Sequence, residues 1–280
     1  MPSNFMPTAE FTQRFHKSLI EIADDDIEYT FKTNHVSTGK PSASGIGSCA
    51  RKQYYSLTNC PPTEPPGLPW ASMMGFAGEA IVRETLYNMG YTVEKAVLPT
   101  DLPYSGSVDD VLHGLDLDQW TLWDNKVRGA YGMRVLIRDG LPKADVDMWC
   151  QMNAYMLALG VSQCVVTVVP HDLSIMRREV KSYKLDADPL IHRIILHADK
   201  ETQDCVVTRA TELTAAKNLG VLPRREFNPV DKQDSIFPCG YCPHRTQCII
   251  DDLTKDQLDI TPLPKWTDTI DLEATVGTPD

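Results

Sequence analysis

The run GSVDDVLHGLDLDQWTLWDNKV, residues 106–127, decides the fold. It contains two strand-like pieces, Ser107–Leu112 and Trp120–Val127, separated by turn-forming residues. The first reads Gly106-Ser107-Val108-Asp109-Asp110-Val111-Leu112, and an acid inside an apolar strand is costly unless it binds something. In the second, side chains alternate between faces, so Asp124 and Lys126 project from the same one. Two adjacent strands thus present Asp109, Asp124 and Lys126 to one place. That set suits a divalent cation held on two carboxylates, with an ammonium steadying an attacking water or a charged phosphate. An isolated Asp-x-Lys is more often a surface ion pair, so the surroundings decide the weight of the pattern.

Working outward, Tyr91–Leu98 reads as a further strand, preceded by a helix over 71–89 with Met74, Ala77, Ile81, Leu86 and Met89 on its buried side. Glu79 lies in that helix. Earlier, Phe11, Phe15, Leu19 and Ile22 recur at helical spacing over 8–23, and a short helix is expected from Ala43 to Leu57. The prolines at 61, 62, 65, 66 and 69 then force an extended connection. Downstream, Met148, Met152, Tyr155 and Leu159 mark one side of a helix over 144–159, where Gln151 and Tyr155, four residues apart, share a face. Strands are expected at Cys164–Val169 and Ile175–Leu185, then a long helix over 189–219. This order predicts an α/β fold with a central mixed sheet flanked by helices, built as one domain with decorations.

Near the C-terminal end, Cys239, Cys242 and Cys248 form a Cys-x2-Cys-x5-Cys pattern with Gly240 inside its first turn. Such a turn points two sulfurs at one place, and a third thiolate closes on the same ion or cluster. On spacing, His244, Cys49, Cys60 and Cys205 are all candidates for a fourth ligand. All-thiolate ligation favours zinc or an iron-sulfur cluster without separating them. Cys150 and Cys164 read as small buried hydrophobes. With eight cysteines in 280 residues and no secretion signal, the arithmetic favours metal ligation in a reducing compartment. No run of about 20 apolar residues exists to span a bilayer, and a cytoplasmic location is expected.

The net charge of -11 argues against a nucleic-acid partner until its distribution is read. Residues 251–280 hold eight acids against two lysines, so over half of the imbalance sits in one segment, expected as an acidic, flexible tail. Arg51-Lys52, the set Lys126, Arg128, Arg134 and Arg138, then Arg177-Arg178 and Arg224-Arg225 leave room for a local basic groove. Trp123 is weighed as a base-stacking platform, with a core role favoured.

Taken together, these motifs resemble the RecB-like branch of the PD-(D/E)xK nuclease superfamily, specifically its iron-sulfur group. That group includes the CRISPR-associated adaptation exonuclease and the AddB recombination subunit. Ser48-Cys49-Ala50-Arg51 with Tyr54-Tyr55 is similar to the N-terminal Cys-x-Arg segment, which selects Cys49 as the fourth cluster ligand. Glu79 resembles the first nuclease motif, Gly106-Ser107-Val108-Asp109 the second and Asp124-Asn125-Lys126 the third. Gln151-Met152-Asn153-Ala154-Tyr155 resembles the Gln-x3-Tyr motif, and Cys239, Cys242 and Cys248 the C-terminal trio. The resemblance covers about residues 42–250, leaving 1–41 as an N-terminal helical extension.

It implies a restriction-endonuclease-like core and a structural 4Fe-4S cluster that joins the two ends of the fold. It also implies Mg2+ or Mn2+ at Glu79, Asp109 and Asp124, and hydrolysis of DNA, commonly from single-stranded ends. The implied setting is a bacterial cell or a phage, with recombination or CRISPR adaptation proteins as partners and no membrane. Two departures stand out: Glu79 replaces the His of many relatives, and Asp124 replaces a common Glu. The competing readings are a non-catalytic DNA-binding or assembly subunit that keeps the fold, and a zinc knuckle in an unrelated enzyme.

Overall fold

The computed structural model describes residues 5–22, 38–63, 69–115, 117–233, 238–252 and 256–264. At its centre, β2 (Ser107–Gly114) and β3 (Leu117–Arg128) form an antiparallel pair rich in Val, Leu, Trp and Thr. Outside β2 runs β1 (Thr92–Val97), antiparallel to it. On the other side β4 (Gln163–Pro170) lies parallel to β3, and β5 (His192–His197) closes the edge antiparallel to β4. The order β1-β2-β3-β4-β5 makes one mixed sheet. A parallel pair needs a long crossover, and α4 (Ala130–Asp139) with α5 (Val146–Leu159) provides it between β3 and β4.

Alternation along the central strands builds two cores. Leu122, Cys164, Val166 and Val168 meet Met148, Met152 and Tyr155 of α5 and Val206 and Leu213 of α7 (Lys200–Leu219). On the opposite face, Trp123 and Val165 meet Phe11 and Phe15 of α1 (Thr8–Glu21) and Val82 and Leu86 of α3 (Pro69–Asn88). The expected α/β arrangement, a mixed sheet flanked by helices, is therefore present. From the segment expected as an N-terminal extension, α1 supplies core side chains, while residues 23–37 lie outside the described set. Trp123 is 0% exposed, with Phe11 and Tyr91 each at a ring distance of 5.7 Å. It has no face to offer a base.

Three expected elements differ. Ile175–Leu185 is not a strand: α6 (Leu173–Tyr183) occupies it, because Asp172 caps the helix, accepting from Ile175 N at 2.9 Å and Ser174 Oγ at 2.8 Å. The helix expected over 189–219 is two elements, β5 and then α7, which Asp199 caps by accepting from Thr202 N at 2.9 Å. The helix expected from Ala43 starts as a single 3-10 turn at Ala43–Gly45, and α2 (Ala50–Leu57) begins only after Cys49. The extended proline connection is described only in part, since residues 64–68 lie outside the described set.

Part of the expected tail also belongs to the fold. In a small parallel ladder, β7 (Gln257–Leu258) pairs with β6 (Leu222–Pro223), and Thr261 Oγ1 donates to Glu212 Oε1 at 2.8 Å. Residues 265–280 lie outside the described set. Buried Arg209 on α7 joins these ends, donating to Ile46 O at 3.1 Å, Ser48 O at 2.8 Å and Thr261 O at 2.9 Å beside its ion pair with Glu226. Among the described residues, no helix is long and apolar enough to cross a membrane.

Candidate active site and cysteine-bearing ends

The third motif sits on β3, where the backbone alternates as expected. Asp124, with its side chain 1% exposed, lies 2.7 Å from Lys126 Nζ. Burial works against charge on Lys126, but the Asp124 carboxylate outweighs it, aided by Glu79 and Tyr155, and the ammonium is held above its ordinary pKa. Glu79, Asp124, Lys126 and Tyr155 therefore share one electrostatic neighbourhood. Tyr155 is placed by α5, and Gln151 one turn earlier donates from Nε2 to its hydroxyl at 3.1 Å. Gly106, at the mouth of β2, lies against this group: a Cβ there would stand 3.6 Å from Tyr155 Cε1.

Glu79 reaches the site because α3 crosses β3 closely. A Cβ at Gly78 would come within 2.4 Å of Val127 Cγ2, so glycine permits the approach that brings the next residue beside the end of β3.

On β2 the ladder with β1 slips: Glu94 pairs with Val111 but Ala96 with Val108, so β2 carries one extra residue at Asp109–Asp110. This β-bulge reverses the alternation, sending Val108 into the α5-side core and Leu112 into the α3-side core. The side chain of Asp109 lies outside the described set. That of Asp110 is fully buried, accepting from Arg83 Nε of α3 at 2.5 Å and Asn125 Nδ2 at 2.6 Å. Thr167 on β4 donates to Asn125 Oδ1, and Trp123 Nε1 donates to Thr167 at 3.4 Å. This network ties α3, β2, β3 and β4 together directly behind Asp124 and Lys126. Sequence reasoning did not assign it. The signal was present in Asp109-Asp110, since consecutive acids in one strand call for partners on both faces, and in Arg83, one helical turn after Glu79.

The four cysteines of the implied cluster lie in segments near the two ends of the fold. Cys49 caps the start of α2, Cys239 and Cys242 flank a 3-10 turn at Cys239–Tyr241, and Cys248 lies in α8 (Arg245–Asp252). Arg51, fully buried, donates from Nη1 to Cys248 O at 3.3 Å and to its Sγ at 3.5 Å, and pairs with Asp252 at 3.2 Å. Tyr55 Oη donates to Asp251 at 3.0 Å, and Thr63 N to Pro243 O at 2.8 Å. Burial raises the Cys49 thiol, with Glu226 and Cys248 adding to it. Burial likewise raises Cys248, where Arg51 opposes and Cys242 adds.

Among the other fourth-ligand candidates, the His244 ring packs tilted 5.1 Å from that of Tyr55, and Cys205, on α7, has its Sγ 3.7 Å from Pro262 O. Cys60 is partly exposed just after α2. Cys150 and Cys164 are core residues as expected, and burial pushes Cys150 up to about 12.

Among the described residues, no group of three or more His, Cys, Asp or Glu side chains is arranged to hold a metal ion. The donor chemistry nevertheless fits both implied groups. Glu79 and Asp124 offer hard carboxylate oxygens around one ammonium, and Cys49 and Cys248, from distant segments, act on each other's charge beside an Arg51 N–H aimed at the Cys248 sulfur.

No protein-family model matches the chain. No curated protein matches it either. Among solved structures, the chain is similar to an alkaline exonuclease from Laribacter hongkongensis, with a TM-score of 0.46 and 16% identity over 65% of this chain and 89% of that one. The same exonuclease in complex with dAMP gives 0.45 at 16% identity over the same shares. SSO0001 gives 0.44 at 11% identity over 85% of this chain and 96% of that one.

Proposed function

We propose that the chain is a divalent-metal-dependent deoxyribonuclease of the PD-(D/E)xK type, an exonuclease preferring single-stranded DNA. The observation that carries this reading is the buried Asp124–Lys126 pair, 2.7 Å apart on one strand face with Glu79 and Tyr155 around it. Mg2+ or Mn2+, held by Asp124, Glu79 and Asp109, would supply a Lewis acid for the phosphate and a lowered pKa for water. Lys126 keeps its proton and so orients a water oxygen at Nζ or offsets charge growing on the phosphate. Gln151 fixes the Tyr155 hydroxyl, which in turn borders Lys126. The Asp110–Asn125–Thr167 network fixes the strand from behind, so the site is held by packed elements rather than by loops.

The test is digestion of end-labelled single- and double-stranded DNA with Mg2+ or Mn2+. Wild type should release nucleotides, while Lys126→Ala and Asp124→Asn should each fall by roughly a thousandfold or more. Equal cleavage by all three would sink the assignment.

The same reading gives Cys49, Cys239, Cys242 and Cys248 a structural role as ligands of a 4Fe-4S cluster. What supports it is the meeting of α2 and α8 around Arg51, where an N–H faces Cys248 sulfur. Anaerobically purified protein should be brown, with broad visible absorbance and about four irons per chain. A colourless preparation carrying one zinc per chain would replace the cluster with a zinc site.

A further inference from the structure

The face formed by α4 and α6 has a composition unlike the rest of the molecule. Residues 128–145 and 171–184 carry eight Lys or Arg against four Asp or Glu, a cationic excess in a chain whose net charge is -11. Arg138, Arg177, Arg178, Lys181 and Lys184 are exposed on it. Two tyrosines stand among these charges, Tyr131 on α4 at 71% exposure and Tyr183 on α6 at 55%. Single exposed aromatics are unremarkable on protein surfaces. These two are not independent, because the Arg134 guanidinium lies over both rings, 4.9 Å from Tyr131 and 4.1 Å from Tyr183. Arg134 is itself held by Glu179 at 2.9 Å, which fixes the aromatic pair across the two helices.

Along the chain, this surface adjoins the strand that carries the candidate active site. Only Gly129 separates the end of β3 from α4, so Tyr131 follows Lys126 by five residues. His171 N donates to Arg128 O at 3.0 Å, which brings the start of the α6 segment to the same strand end.

We infer that Tyr131 and Tyr183, braced by Arg134, form a stacking platform for the unpaired bases of single-stranded DNA, whose backbone the surrounding cations track. Exposed aromatic faces set in a basic groove bind bases without sequence preference, because every base has a π-face, whereas duplex bases are already stacked on one another. A polyanion is the occupant that complements this charge. The inference rests on the nuclease reading for its partner and adds the residues that select unpaired strands.

The test is fluorescence anisotropy on the full chain in a metal chelator, so that binding is read without cleavage. The probes are a labelled oligothymidine, an abasic strand of equal length, a blunt duplex and anionic lipid vesicles. Wild type should bind oligothymidine more tightly than the abasic strand. Tyr131→Ala and Tyr183→Ala should each lose about fivefold or more on oligothymidine, with no change on the abasic strand or the duplex. Tyr131→Phe and Tyr183→Phe, which keep the ring, should bind as wild type. Unchanged oligothymidine binding by both alanine variants overturns the platform, as does equal loss on the abasic strand or tyrosine-dependent binding to vesicles. The two readings separate cleanly. Cleavage by a chain whose binding ignores the tyrosines removes only the platform, and tyrosine-dependent binding without cleavage under any divalent metal removes only the nuclease.

Discussion

A lysine buried in protein tends to shed its proton, since burial penalises the charged form. Lys126 keeps its own because Asp124, Glu79 and Tyr155 outweigh that penalty. Its folded pKa lies above the unfolded value of about 10.4, so the pair's stabilisation is complete below that pH and is lost as pH rises through the folded pKa. The melting-temperature gap between wild type and Lys126→Met should therefore stay constant from about pH 6 to 9 and shrink in stronger alkali. A gap that narrows by pH 8 would show a neutral lysine. His192 behaves oppositely, because burial depresses it to about 4. There the unfolded chain binds the extra proton, so stability is lost as pH falls from about 6.5 to 4, by about 3 kcal/mol. Denaturant titrations of His192→Gln should lack that acid-side loss. If the two titrations run parallel, the loss belongs to other groups. At this scale the sequence showed Asp124 and Lys126 plainly, since period-two alternation needs no tertiary knowledge. Asp110 was less legible: its partners Arg83 and Asn125 arrive from another helix and the neighbouring strand, through a bulge that periodicity does not display.

Helix α3 holds Glu79 in place by lying close on β3, and Gly78 is the residue that permits it. Gly78→Ala would place a methyl group 2.4 Å from Val127 Cγ2, costing about 1–3 kcal/mol and displacing Glu79, so cleavage should drop along with stability. Adding Val127→Ala should restore most of both, and a double variant no better than Gly78→Ala would refute the contact as the cause. Element types were legible where periodicity ran long, as in α3 and α5, although Ile81, read onto the buried side of α3, is 40% exposed; they failed where short apolar runs fit either pattern. Ile175 and Val180 favour strands, yet Asp172 caps the segment into α6. Ile194, Ile195 and Leu196 merge by eye with the following helix, and only pairing with β4 separates them as β5. Helix α4 carries Gly132 in its interior, which weakens its local signal.

Across the whole molecule, charge is segregated: the acidic excess lies mainly in residues 251–280, and the α4–α6 face is basic. The net charge therefore misleads about partners unless it is mapped. The ends are fastened by Arg51 and Arg209, both 0% exposed. Arg51→Ala should cost about 3–5 kcal/mol by leaving the end segments unfastened, and should loosen residues 245–252 first, as hydrogen exchange of α8 would report. Exchange in α8 unchanged from wild type would place the fastening elsewhere.

The acceptors of Arg51 lie far along the chain: Pro223 is 172 residues later and Asp252 is 201. A ribosome thus releases Glu79, Asp124 and Lys126 well before it releases the groups that complete the frame around Cys49. Through most of its synthesis the growing chain carries a lysine and carboxylates ready to fold onto one strand face, while Arg51 still lacks the acceptors that fasten it. Closure of the frame is consequently a late event, timed by translation rather than by the sheet.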